Sequence, residues 1–387
     1  MPAINVPQPE FMEDEEISIF ADAVGKFYQQ HAPEKRVLKW REDGQVEREF
    51  WNEAGQAGLL GVSVPEEYGG HGGDFRHEMV VIDQQAKHGV EGFAASLHNT
   101  VILPYLVRHG TEKQKKKYLP KLVSGELVSA IAMTEPGVGS DLQSVTTTAL
   151  KDGNGYRING AKTYISNGQT ADFIIVVAKT DPNERAKGIS LMLLETEGAE
   201  GFQRGKKLDK IGLDASDTSE LFFDDVFVPA ENVLGGEEGK GFYQLMGELP
   251  QERLIIAMGA MTGIEKALET TLDFVKNRKA FGQTIWDFQN TQFVMADLKA
   301  RATAAKIFVN DCIAKHLKRE LDVPTACMAK YWVTELQGEV VDKCLQFHGG
   351  AGFINDYPIA RMYRDSRITR IFGGSNEVMK MVIARSM

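Results

Sequence analysis

Glu252 is a carboxylate that could do acid–base work. It stands just before an almost wholly apolar run, Leu254 to Ile264. Burial penalises the charged form of a carboxylate, so one walled by such a run gains proton affinity and becomes a better base near neutral pH. A plainer reading competes: a helix starts just after Pro250, and Glu252 complements the positive end of its dipole. On local pattern alone the plainer reading is preferred. Arg253 beside it reads equally as a partner for an ionised glutamate or the substrate region, or as an ordinary surface or interface ion pair.

Other chemistries are disfavoured by spacing. Gly137-Val138-Gly139 is followed by Leu142, and Gly350-Ala351-Gly352 by Asn355, where a dinucleotide fingerprint needs a third glycine. There is no P-loop, no HExxH and no GxSxG elbow. Cys312, Cys327 and Cys344 stand far apart, which argues against a disulfide framework or a cysteine-held zinc and predicts no metal. The net charge of −10 disfavours nucleic acid as a partner, so Lys113, Lys115, Lys116 and Lys117 read as a solvated helix face.

The elements that carry these residues change texture along the chain. At 387 residues, with 43% hydrophobic and 25% charged, the chain is an ordinary globular protein of two or three domains. Residues 1–128 show helical periodicity, as in Ile17, Phe20, Ala21, Val24, Phe27 and Tyr28; 78–108 reads as one or two buried helices. Residues 129–240 carry short branched runs at 173–178, 189–194, 221–223 and 226–228, bounded by turn residues, and read as a β domain. Helical texture returns over 241–387, with long helices across 285–318 and 325–347 and a last helix capped by Ser375 or Asn376. Strands and helices do not alternate, which disfavours a doubly wound sheet. No apolar run is long enough to span a membrane. The first 25 residues lack Lys and Arg, which leads to the expectation of a cytoplasmic protein.

Five stretches carry a family resemblance: AMTEPGVGSD (132–141), TYISNG (163–168), RKAFGQ (278–283) with Gln289 beyond it, QFHGGAGF (346–353) and IFGGSNEV (371–378). In this order they resemble the acyl-CoA dehydrogenases, and ELPQERL (248–254) with Gly373-Gly374 is most similar to the long-chain branch. The resemblance implies a helical N-terminal domain, a middle β-barrel and a C-terminal four-helix bundle. It implies a homotetramer, FAD as cofactor, oxidation of acyl-CoA thioesters to trans-2-enoyl-CoA, and an electron-transfer flavoprotein as acceptor.

The resemblance also distributes roles. Many members carry the α-proton base at the position of Gly373, and glycine cannot abstract a proton. The long-chain and isovaleryl members place it on a helix, at the position of Glu252, which reverses the local preference. The backbone N–H of Gly373, with Gly374 beside it, would face the thioester oxygen. Ser140 and Tyr243 match substrate contacts, although Tyr243 reads equally as core packing. Ile131, Met133 and Thr134 match the stretch past the isoalloxazine. Tyr164, Ile165 and Ser166 match a flanking aromatic segment, with the Ser166 hydroxyl near N5. Arg278, Phe281 and Gln289, with Gln346, Phe347, His348, Gly349 and Gly350, match groups offered to the FAD of a neighbouring subunit. Ser375, Asn376 and Glu377 match a helix start suited to phosphate. The CoA 3′-phosphate has no assigned partner; Arg204, Lys206, Lys207 and Lys210 read equally as a solvated basic turn. Three rivals stay open: an isovaleryl-like or other branched-chain dehydrogenase, an acyl-CoA oxidase, and a non-catalytic acyl-CoA-binding protein on the same scaffold.

Overall fold

A computed structural model describes residues 3–387. Helices come first: α1 (Glu15–His31), α2 (Glu34–Asp43), α3 (Arg48–Gln56), α4 (Phe75–Lys87), α5 (Leu103–His109) and α6 (Glu112–Val123). Capping is explicit in the sequence. The Asp14 carboxylate accepts from the Glu16 amide, and Thr111 with Gln114 closes a capping box at α6. The expected helices in 78–108 are α4 and α5, separated by a break at Gly89 and joined to a π-helical turn, Leu97–Ile102. Pro104 does not break this segment. It is the second residue of α5, directly after the π-helical turn.

The middle region forms a curled sheet: β1 (Ser129–Ala132), β2 (Thr148–Asp152), β3 (Gly155–Ser166), β4 (Phe173–Lys179), β5 (Ile189–Glu195), β6 (Phe202–Lys207) and β7 (Thr218–Pro229). Its order is β1-β4-β2-β3-β7-β6, with β5 also on β4. The runs 221–223 and 226–228 are one strand, bent at Asp225, which adopts φ 58°. Bulges in β3 against β7 add curvature. One lies beside Gly160, where a Cβ would meet Thr147 at 2.5 Å. Strand β4 is apolar throughout because both faces are covered. Phe173, Ile175 and Val177 pack on α5 and α6, while Ile174, Val176 and Ala178 face the sheet interior.

The C-terminal region holds α7 (Gly241–Asn277), a β8–β9 hairpin (Lys279–Ala280 and Gln283–Thr284), α8 (Gln289–Leu317), α9 (Val323–His348), α10 (Pro358–Ser366) and α11 (Asn376–Arg385). The apolar run 254–264 is the part of α7 that packs on α8, α9 and α10. Ala3 and Ile4 are buried in this same core, so the N-terminal segment is physically part of the C-terminal bundle. Charges tie the three regions together. Arg41 pairs with Asp214 at 2.6 Å, Arg364 pairs with Asp214, and Arg361 reaches Glu91 at 3.2 Å. Among the described residues, no helix is long and apolar enough to cross a membrane. All three cysteines are free and buried.

Candidate active site

Pro250 does not start a helix. α7 begins at Gly241 and continues through it, which places Glu252 three turns inside the helix and removes the dipole-complement reading. Pro250 costs the helix an N–H donor, and the kink-prone turn it leaves is where the carboxylates cluster. Glu252 is buried, and its Oε1 accepts a 2.9 Å hydrogen bond from the Tyr105 hydroxyl of α5. Burial pushes its pKa up to about 7, with the Glu248 charge adding to the rise; the Tyr105 bond and the Arg253 charge only moderate it. A buried carboxyl half-ionised near neutrality is what general-base chemistry needs.

Arg253 is not a surface ion pair. It is 5% exposed, its Nη1 lies 3.2 Å from the Cys327 sulfur, and its Nε has no partner. Lys330 of α9 lies close enough for its pKa to be depressed to about 8, first by burial and then by the Arg253 charge. Its Nζ donates to the Gly374 carbonyl at 2.8 Å and to Asn376 Oδ1 at 2.9 Å. Lys330 therefore fixes the turn in which Gly373 and Gly374 adopt φ 61° and 88°. That turn lies against α7, because a Cβ on Gly373 would meet Ile256 Cδ1. Ile256 is one turn beyond Glu252, so buried base and bare backbone turn share one stretch of helix.

A platform leads away from this turn. Glu135 and Lys162 form a buried ion pair at 2.9 Å beneath the segment 131–134. Burial opposes ionisation of Glu135, but Lys162 and bonds from Thr146 and Thr147 outweigh it and hold the pKa at about 2. Lys162 Nζ also donates to the Met133 carbonyl, and the Thr134 carbonyl accepts from the Thr163 amide. Ile131, Met133 and Thr134 are half-buried on this base. Tyr164 stands out from β3 at φ 60° with its ring 68% exposed, and Ser166 is half-buried two residues on. An exposed aromatic in a strained backbone conformation fits a flat ring system such as an isoalloxazine.

Several candidates are placed otherwise than expected. The Ile165 side chain is turned into the sheet core, so only its backbone can face a ligand. Tyr243 is 54% exposed and does no core packing. The Asn376 side chain is committed to Lys330, Thr334 and Glu335. Ser375 caps α11 by accepting from the Val378 amide, and Glu377 lies in the first turn, where the helix start holds its pKa below the usual carboxylate value. An anion at this helix start meets that carboxylate beside it. Ser140 is exposed in an open glycine loop. Of the basic residues 204–210, Arg204, Lys207 and Lys210 donate to the carbonyls of Ala171, Asp43 and Ser216 rather than lying free. Lys113, Lys115 and Lys117 pair with Glu231, Glu112 and Glu195, so most of that lysine face is pinned.

The second group lies elsewhere. Arg278, Phe281 and Gln289 are exposed around the β8–β9 hairpin, with Phe281 96% exposed at φ 52°. Gln346, Gly349 and Gly350 are exposed at the end of α9, and Phe347 packs on the helical core. The His348 ring is internal: its Nδ1 bonds the Cys344 carbonyl at 2.9 Å, and it stacks on Phe274. Asn376 touches α9 at Thr334, and from there to His348 the helix rises by about 21 Å. The two groups therefore sit at separate places in one chain.

Tyr105, Lys330, Glu135 and Lys162 carry much of this geometry and were not singled out from the sequence. Tyr105 sits in an apolar stretch where nothing local marks one aromatic from another. Glu135 stood inside a recognised motif, but a strand residue across the sheet revealed its role.

Comparisons with known proteins agree with this geometry. The family models for the acyl-CoA dehydrogenase N-terminal, middle and C-terminal domains match residues 14–126, 130–226 and 239–387. The long-chain specific acyl-CoA dehydrogenase, mitochondrial, of Sus scrofa is 47% identical over 96% of this chain and 86% of its own. An acyl-CoA dehydrogenase from Geobacillus kaustophilus superposes with a TM-score of 0.94 at 45% identity, covering 96% of this chain and 98% of that one. A glutaryl-CoA dehydrogenase from Mycobacterium smegmatis, solved in complex with FADH2, superposes at 0.89 with 25% identity, covering 98% and 96%. The chain belongs to the acyl-CoA dehydrogenase family.

Proposed function

We propose that this protein is an FAD-dependent acyl-CoA dehydrogenase acting on long-chain thioesters, with Glu252 as the α-proton base. The observation that carries the reading is Glu252 itself: buried, poised near neutrality and on the same helix face as the residue that touches Gly373. The long-chain preference rests on the Sus scrofa relative.

The residues divide the work. Glu252 takes the α-hydrogen as a proton. The Gly373 turn, held by Lys330, presents backbone N–H to the thioester oxygen, where charge builds as the proton leaves. FAD, when bound, supplies the acceptor for the β-hydrogen and its electron pair. Tyr164, Ser166 and the 131–134 segment, stiffened by Glu135–Lys162, suit the ring system. The buried cations Arg253 and Lys330 favour the negative charge that the reaction creates. We read an electron-transfer flavoprotein as the next acceptor, and a homotetramer as the assembly that brings the Arg278 and Gln346 groups of one chain to the cofactor of another.

Anaerobic titration with a panel of acyl-CoAs, followed by the flavin visible spectrum, tests the reading. Bleaching by long straight-chain thioesters supports it. Bleaching by branched thioesters alone overturns the chain-length assignment, and a holoprotein that no thioester bleaches overturns the dehydrogenase reading.

A further inference from the structure

Helix α5 is seven residues long, and one face of it meets the carboxylates of α7. Tyr105, Arg108 and His109 are spaced three and four apart and share that face. Opposite them stand Glu248, Gln251 and Glu252. Arg108 pairs with Glu248 and donates to Gln251 Oε1 at 2.7 Å, and His109 Nε2 lies 3.1 Å from Glu248 Oε1. Gln251 in turn donates to the Thr100 carbonyl of the π-helical turn. Tyr105 alone on this face reaches Glu252.

We infer that Tyr105 is the positioning residue for Glu252, and that Arg108 tempers the charge of Glu248 beside it. The inference rests on the reading of Glu252 as base. The Tyr105 hydroxyl engages Oε1 and leaves Oε2 as the oxygen available to a proton. Tyr105 is wholly buried, so its hydroxyl has no water to turn to if this acceptor is lost. The carboxylate is thereby fixed before substrate arrives, and its ionised form is favoured over what burial alone would allow.

The charges around Glu252 make the inference sign-specific. On α7, Glu248 raises its proton affinity and Arg253 lowers it. From α5, Tyr105 lowers it and Arg108 pairs with Glu248, offsetting part of that charge. His109 faces Glu248, and His316 of α8 lies within range of both Arg108 and Glu248, its own pKa depressed to about 4 by burial. From α9, Cys327 and Lys330 act on Arg253. Removing the Tyr105 hydroxyl and removing the Glu248 charge must then move Glu252 in opposite directions.

The experiment is the pH dependence of anaerobic flavin reduction by a long-chain acyl-CoA in the holoenzyme. Tyr105→Phe is expected to move the acidic limb up by about one pH unit, with the rate recovering at high pH, because a hydrogen bond to the charged form is lost. Glu248→Gln is expected to move it down. The same opposite shifts should appear in the infrared band of the protonated buried carboxylic acid, which needs no turnover. Rates lowered uniformly at every pH, with neither limb nor band displaced, would overturn the inference and leave Tyr105 a packing residue. Glu252→Gln runs alongside. If that variant still reduces the flavin, the base assignment has failed. If it is inert while Tyr105→Phe shifts nothing, only the positioning role has failed.

Discussion

Ile256 fills the space that a side chain at position 373 would need: a Cβ on Gly373 would collide with its Cδ1. The glycine turn and the helix that carries Glu252 are thus fitted to each other. Gly373→Ala meets this contact and also a φ of 61°, which costs an L-residue about 1–2 kcal/mol. We expect a comparable stability loss and slowed flavin reduction. Ile256→Val in the same background removes the colliding atom and should recover part of both. Denaturant melts and single-turnover rates check this; no recovery would show that the backbone conformation alone sets the cost.

Lys330→Met should loosen the turn without touching substrate. The lysine donates to the Gly374 carbonyl and the Asn376 side chain, and methionine replaces neither bond. A loss of about tenfold in kcat is expected, somewhat less than when an oxyanion donor is removed outright. Steady-state kinetics measure it, and an unchanged kcat would remove Lys330 from the account.

Glu252 also writes a pH dependence into stability. Its folded pKa of about 7 lies above the ordinary 4.5, so between these values the folded chain holds a proton that the unfolded chain has released. Stability from this site is therefore lost as pH rises through that window, by on the order of 3 kcal/mol at most. Glu252→Gln should gain on wild type between pH values of about 5 and about 8 in thermal melts. Glu78, also raised to about 7 by burial, is present in both proteins and cancels in the comparison. A difference that stays flat across pH would contradict the burial argument.

Arg278→Ala should weaken cofactor retention. Its guanidinium is exposed at the hairpin beside Phe281, past the far end of the helix that carries Glu252. If a second chain completes the site, the flavin-to-protein ratio should fall on dilution, together with the oligomer. Undiminished flavin in a diluted monomer would show that one chain suffices.

The sequence carried the architecture well, for physical reasons. Capping residues such as Asp14, Thr111 and Ser375 announce helix starts, and doubly buried β4 shows itself as an unbroken apolar run. The site was legible where it coincided with a motif. Local reasoning misplaced Glu252 at a helix start because a proline inside a helix resembles one that opens it. It left Arg253 open between an ion pair and a partner for Glu252 or the substrate, because burial of a cation without a carboxylate partner leaves no mark in one dimension. Tyr105 and Lys330 act across 147 and 44 residues of chain, and nothing in their own neighbourhoods points to those partners.

The measurement closest to the central claim is anaerobic single-turnover reduction of the Glu252→Gln holoenzyme by palmitoyl-CoA. The substituted amide keeps the shape and can still accept the Tyr105 bond but cannot take a proton. The account predicts a flavin that binds normally and stays yellow, with reduction slowed by at least about a thousandfold, in keeping with the roughly 10²–10⁴ that positioned acid–base groups contribute. Bleaching at a rate near that of wild type would contradict it and place the base elsewhere.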